Sequence, residues 1–154
     1  MVKLKNIIIS LIISIGVGQL SAFITRNDAK NFSEQFNQSA LTPPDWVFPV
    51  VWTILFALMG ISSAIVFKSN IDSRGYALTV YGVQLIFNFF WSILFFKGNI
   101  FQASFVWLAI LILMVFAMIL LFYRSSHLAA YLQIPYLVWL IFAIYLNYAV
   151  CVLN

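Results

Sequence analysis

One cysteine, one histidine and four acidic residues in a chain of 154 leave little from which to build hydrolytic, redox or metal chemistry. A single thiol, Cys151, excludes an intrachain disulfide. His127 has no cysteine, acid or second histidine near it in sequence, so no metal site is expected. No Ser–His–Asp or Cys–His arrangement can be assembled, and no glycine-rich phosphate loop is present. Charge itself is scarce: 8% of residues are charged, against roughly a quarter in soluble domains. The basic residues are too scattered for a nucleic-acid patch, although they suit flanks that meet anionic headgroups.

What is there is apolar: 64% of the residues are hydrophobic. Such a chain cannot cover itself with a polar surface, so a lipid bilayer must solvate much of it. A helix needs roughly 20 apolar residues to cross. The charges divide the chain into uncharged runs of that length, which predict spans over 6–25, 46–67, 75–96, 100–123 and 128–152. No alternating ten-residue strands suggest a barrel. The expected fold is therefore an all-α integral membrane protein, a single five-helix transmembrane bundle over 1–154. Lys3 and Lys5 before an apolar run resemble a signal peptide, but the run is longer than a signal core. Ser10, Ser14, Gly18 and Ala22 also repeat at a spacing of four, which favours a retained helix packed closely against a neighbour. Gly60 and Ala64 form a second such pair, and both stripes suit either intrachain packing or a homodimer.

The long polar segment 26–45 ends in Pro43–Pro44 and reads as a loop able to act as a lid, with a short helix through Glu34–Phe36 capped by Asn27 or Asp28. Pro44 would sit near the start of the second span, and Pro135 would kink the last helix or mark its start. Lys3, Lys5, Lys68, Arg74 and Arg124 fall on one side of the membrane, and Arg26, Lys30 and Lys97 on the other. This places the N-terminus in the cytoplasm and the long loop outside.

Polar and large aromatic residues inside the spans are the candidates for function. Gln84, Asn88 and Trp91 share one face of the third span. Trp139, Ala143 and Asn147 share one face of the fifth, and Trp52, Phe56 and Met59 one face of the second. A buried amide costs free energy without a partner, so these faces should point inward. If they converge, they enclose an aromatic-walled cavity suited to a large, flat, mostly apolar ligand. The amides serve equally well as hydrogen bonds between helices, and Trp46 suits the interfacial belt. Spacing alone leaves these readings open.

The run Pro43–Pro44–Asp45–Trp46–Val47–Phe48–Pro49–Val50–Val51–Trp52, continuing to Met59–Gly60, resembles the signature of the tryptophan-rich sensory protein/translocator protein family. So do Gln84–Leu85, Asn88, Trp91 and Phe95–Phe96, then Pro135–Tyr136–Leu137, Trp139–Leu140 and Leu146–Asn147–Tyr148. Order and spacing match over almost the whole chain. The resemblance implies a homodimerising five-helix bundle in a bacterial cell membrane. It implies a pocket for porphyrins and other tetrapyrroles, and for isoquinoline carboxamide or benzodiazepine ligands. Carried over by position, Trp52, Asn88, Trp91, Trp139, Ala143 and Asn147 correspond to the pocket, and Pro43 and Pro44 to the lid hinge; Phe56 joins the candidate ligand-binding residues from its stripe on the second span.

Two positions depart from the family's pattern. Leu41 stands where a tryptophan is common, and no basic residue follows Tyr145 or Tyr148, so cholesterol binding is not expected. The expected function is a porphyrin receptor that needs no resident cofactor. The macrocycle would lie between Trp52 and Trp139, with Asn88 and Asn147 at its polar edges. Light-dependent porphyrin degradation through those two indoles is the enzyme-like extension. The alternatives are a small transporter of tetrapyrroles or other apolar metabolites, and a structural partner in a membrane complex.

Overall fold

The computed structural model describes residues 2–154. Five helices follow one another: α1 (Leu4–Gln35), α2 (Val47–Lys68), α3 (Arg74–Ser92), α4 (Phe101–Ser125) and α5 (His127–Leu153). α3 runs on into a wider π turn, Ile93–Lys97, closed by the Gly98 amide donating to the Ile93 carbonyl at 2.8 Å. All five helices are long and apolar enough to cross a membrane. The chain is a multi-pass integral membrane protein. α1 packs on α2 and α3, α3 on α4, α4 on α5, and α5 returns to α2.

Side chains at the crossings show why the helices settle there. A Cβ on Gly60 would meet the Ser14 hydroxyl at 2.7 Å and the Leu11 backbone at 3.0 Å, and one on Gly18 would run into the Phe56 ring. Only glycine lets α1 and α2 approach this closely. Ser14 then donates to the Phe56 carbonyl at 2.8 Å. The Ser14–Gly18 stripe and Gly60 thus serve packing within the chain, and α1 is built into the bundle. Elsewhere Trp107 stacks on Phe87 at 4.2 Å and donates its N–H to the Phe87 carbonyl at 2.8 Å, tying α4 to α3.

α1 departs from the sequence expectation. Composition predicts a loop over 26–45, but the chain stays helical through Gln35, and the connection to α2 is confined to 36–46. Thr25, Ala29, Phe32 and Phe36 recur at helical spacing, so the polar segment is amphipathic. Phe32 is buried among Phe36, Phe95, Phe96 and Phe101, with ring centroids 5.0–5.9 Å away. That cluster anchors the extension. At 1.5 Å per residue, α1 spans about 48 Å, more than the roughly 30 Å hydrocarbon layer. Its C-terminal turns therefore stand at headgroup level or beyond. Asn27 and Asp28 lie inside the helix and cap nothing. Pro135 also lies within a helix, on the exposed side of α5. The start of α5 is set by Ser126, whose hydroxyl accepts from the Ala129 amide at 3.3 Å.

Candidate functional site

A cavity of about 470 Å³ opens between α1, α2, the end of α3 and the C-terminal half of α5. This is within the usual range for ligand pockets, 300–1,000 Å³. The helix ends that surround it lie on the side of the membrane to which α1 extends.

The inward faces expected on α2, α3 and α5 do converge. Trp52, Phe56, Asn88, Trp91, Trp139, Ala143 and Asn147 all line the cavity. Pro43 and Pro44 do not; the residues on either side of them, Thr42 and Asp45, do. The Pro44 carbonyl accepts from the Val47 amide at 3.0 Å, so the proline pair shapes the turn into α2 and leaves its neighbours to face the opening.

The two indoles are not arranged as a sandwich. Trp52 and Trp139 meet edge to face, with centroids 6.4 Å apart and planes at 90°. A flat ligand between two rings needs them parallel, so a macrocycle can stack on one face here but cannot be clamped between both. The T-shaped contact follows from crowding, since Phe48 also packs edge-on against Trp139 at 5.9 Å. Trp139 forms a partition as well. Its other side borders an apolar groove on the outer surface between α2 and α5, lined by Val51, Ile54 and Val138.

The amides have fixed directions. The Gln84 amide N–H donates to the Met59 sulfur at 3.8 Å, and a thioether can only accept. This turns the Gln84 oxygen toward Tyr136, whose hydroxyl donates to it at 2.7 Å. Tyr136 must then accept, and Asn88 Nδ2 donates to it at 2.8 Å. The Asn88 carbonyl oxygen is the amide group left outside this chain of bonds, so Asn88 offers the cavity an acceptor. Asn147 is held differently. Its oxygen accepts from the Trp91 indole at 3.2 Å, and its Nδ2 donates to the Phe101 carbonyl at 3.0 Å and the Cys151 sulfur at 3.7 Å. With its N–H groups occupied, Asn147 can offer a ligand only a remaining lone pair, and its main work is to hold Trp91 in the wall. Trp91 stacks on Phe95 at 5.3 Å.

Three contributors were not singled out from sequence. Tyr136 is fully buried and organises the Asn88 amide. It stands in the family motif itself, but sequence alone assigns it no site role, because its hydroxyl partners, Gln84 and Asn88, come from another helix. Arg26 and Lys30 line the cavity from the extension of α1, a segment whose composition suggested a free loop.

The loop over the opening is fastened to the end of α5. Asn154 Oδ1 accepts from the Asn37 amide, and Asn154 Nδ2 donates to the Asn37 carbonyl, each at 2.9 Å. Ser39 and Tyr145 share a hydrogen bond of 3.0 Å. Replacing Asn154 by alanine should accelerate amide exchange over 37–42 in hydrogen–deuterium exchange mass spectrometry. Global stability should fall by less than about 1.5 kcal/mol, since exposed hydrogen bonds contribute little net energy. Unchanged exchange would mean the loop is held by other contacts.

A family model described as the TspO/MBR family matches residues 8–153. The chain is 36% identical to the "Tryptophan-rich protein TspO" of Chlorobaculum tepidum, covering 96% of this chain and 97% of that protein. It is 30% identical to the protein of the same name from Archaeoglobus fulgidus, covering 99% of each. It is 35% identical to the "Translocator protein" of Homo sapiens, over 70% of this chain and 66% of that protein.

Proposed function

The chain belongs to the TspO/MBR family, and from that membership together with the walls of the cavity we infer that it is a membrane receptor for porphyrin-type tetrapyrroles. One observation carries the reading: a cavity of about 470 Å³ whose depth is uncharged and largely aromatic, with the Asn88 amide oxygen left free as an acceptor in its wall. A flat, apolar macrocycle gains from burial against Trp52 and Phe56, while its N–H or other donor groups meet the Asn88 oxygen. Isoquinoline carboxamide and benzodiazepine ligands have the same flat aromatic bodies and fit the same walls. A homodimer remains part of this reading, with its face on surfaces that the crossing of α1 with α2 does not use.

The photochemical extension rests on Trp52 and Trp139, two oxidisable indoles beside the bound ring. The test is a titration of protoporphyrin IX against the protein in lipid nanodiscs, in darkness and under illumination. Wild type is compared with Trp52→Phe and Trp139→Phe. Saturable binding weakened by Trp52→Phe is expected. Binding that is unsaturable, or indifferent to both changes, would remove the reading. Slower loss of porphyrin under light in the two variants would assign the indoles a photochemical role.

A further inference from the structure

We propose that the mouth of this cavity is a carboxylate-holding rim, in which Arg26 and Lys30 grip the acidic edge of a tetrapyrrole while its uncharged macrocycle enters first; the inference rests on the tetrapyrrole reading and adds the ligand's direction and charge.

Charge is distributed unevenly around the cavity. Arg26, Lys30 and Asp45 are the charged residues in its lining, and all three are exposed. The deep wall holds Phe56, Asn88 and Asn147, which are buried and uncharged. A carboxylate placed among them would lose its water and find no cation, at a cost far above that of burying a neutral edge. An acidic ligand can therefore go in one way only, with the apolar body inward and the acid outward.

The rim fits that acid. Arg26 and Lys30 are four residues apart on α1 and share one helix face, about one turn or 5–6 Å from each other. That spacing suits two carboxylates carried on neighbouring arms of a ring. The Arg26 guanidinium lies 4.6 Å over the Phe23 ring. No side-chain hydrogen bond occupies its N–H groups among the described residues, so the guanidinium fork remains available to a carboxylate. The two cations outnumber Asp45, so the rim is net positive. Because α1 outruns the hydrocarbon layer, these groups sit where water and headgroups allow them to stay charged. The resulting ligand class is a flat apolar macrocycle with a dicarboxylate edge, in its free-acid form.

The experiment compares protoporphyrin IX with its dimethyl ester, which keeps the ring and removes both charges. Phosphatidylcholine nanodiscs carry no net anionic headgroup to compete for the rim. Affinities are measured for wild type, for the double variant Arg26→Gln/Lys30→Gln, and for Asp45→Asn. Taking the acid-to-ester ratio within each protein cancels the different lipid partitioning of the two porphyrins. Wild type should prefer the acid at least tenfold at low salt. The preference should vanish in the double variant, shrink in high salt and grow in Asp45→Asn. Adding anionic lipid should lower acid binding in wild type but not in the double variant, which separates headgroup competition from ligand recognition. Equal affinity of wild type for acid and ester overturns the proposal while leaving the tetrapyrrole reading intact. So does an acid preference that survives in the double variant. If neither porphyrin binds, the tetrapyrrole reading fails and the rim fails with it.

Discussion

An Ala143→Phe variant is expected to bind protoporphyrin IX at least a hundredfold more weakly than wild type, yet to remain folded. Ala143 lies one helical turn from both Trp139 and Asn147, with its methyl group in the cavity wall. A phenyl ring on that Cβ enters the space the ligand's macrocycle would occupy. Loss of the deepest apolar contacts removes at least about 2.7 kcal/mol of binding energy, which is the hundredfold change. Stability should hardly suffer, because the new ring enters open space instead of a packed core, where overfilling costs about 1–3 kcal/mol. Fluorescence titration and thermal unfolding of the same preparation read both quantities. Normal affinity in a folded Ala143→Phe protein would place the ligand outside this cavity. The apolar groove on the other side of Trp139 would be the first place to look.

Asn147→Leu should have the second-largest effect, and on stability first. The side chains are similar in size, but leucine cannot accept from the Trp91 indole or donate to the Phe101 carbonyl and the Cys151 sulfur. The Phe101 carbonyl can still accept within α4. The Trp91 N–H has no such alternative in a buried wall, and an orphaned buried donor costs about 1–3 kcal/mol. Hydrogen bonds between membrane helices are often worth less than 1 kcal/mol. Asn147 should lie at the upper end, because its one amide joins α3, α4 and α5. A double-mutant cycle separates this from packing. Trp91→Phe removes the orphaned donor, so Trp91→Phe/Asn147→Leu should be more stable than the sum of the single losses implies. Strict additivity would mean that the 3.2 Å contact contributes nothing. Porphyrin affinity should fall about tenfold in Asn147→Leu, since Trp91 is no longer held in the wall; tenfold corresponds to about 1.4 kcal/mol.

The bundle was legible because charge is so rare that long uncharged runs stand out between the Lys, Arg, Asp and Glu residues. The four later helices begin and end within a few residues of the uncharged runs. The same logic misplaced the end of α1. Arg26, Asp28, Lys30 and Glu34 suggest departure from the membrane, but leaving the bilayer does not end a helix, and α1 continues through Gln35. Phe32 holds the extension, and its significance depends on Phe95 and Phe101, which are far away in sequence. The cavity wall was legible in the periodic stripes of α2, α3 and α5, because a face carrying Trp and Asn together has few places to go except inward. Orientation within the wall was not. Whether Trp52 and Trp139 are parallel or perpendicular depends on how Phe48 and Tyr136 crowd them. Which end of the Asn88 amide is left free toward the cavity depends on a chain of donors that finishes at the Met59 sulfur. Arg26 and Lys30 became rim residues only once the segment that carries them proved helical.

The most direct test of the account is a structure of the protein with protoporphyrin IX bound. The macrocycle should lie inside the cavity against one face of Trp52, close to Asn88 and Ala143, with its carboxylates toward Arg26 and Lys30. A porphyrin ordered in the outer groove along Val51, Ile54 and Val138, with the inner cavity empty, would contradict it.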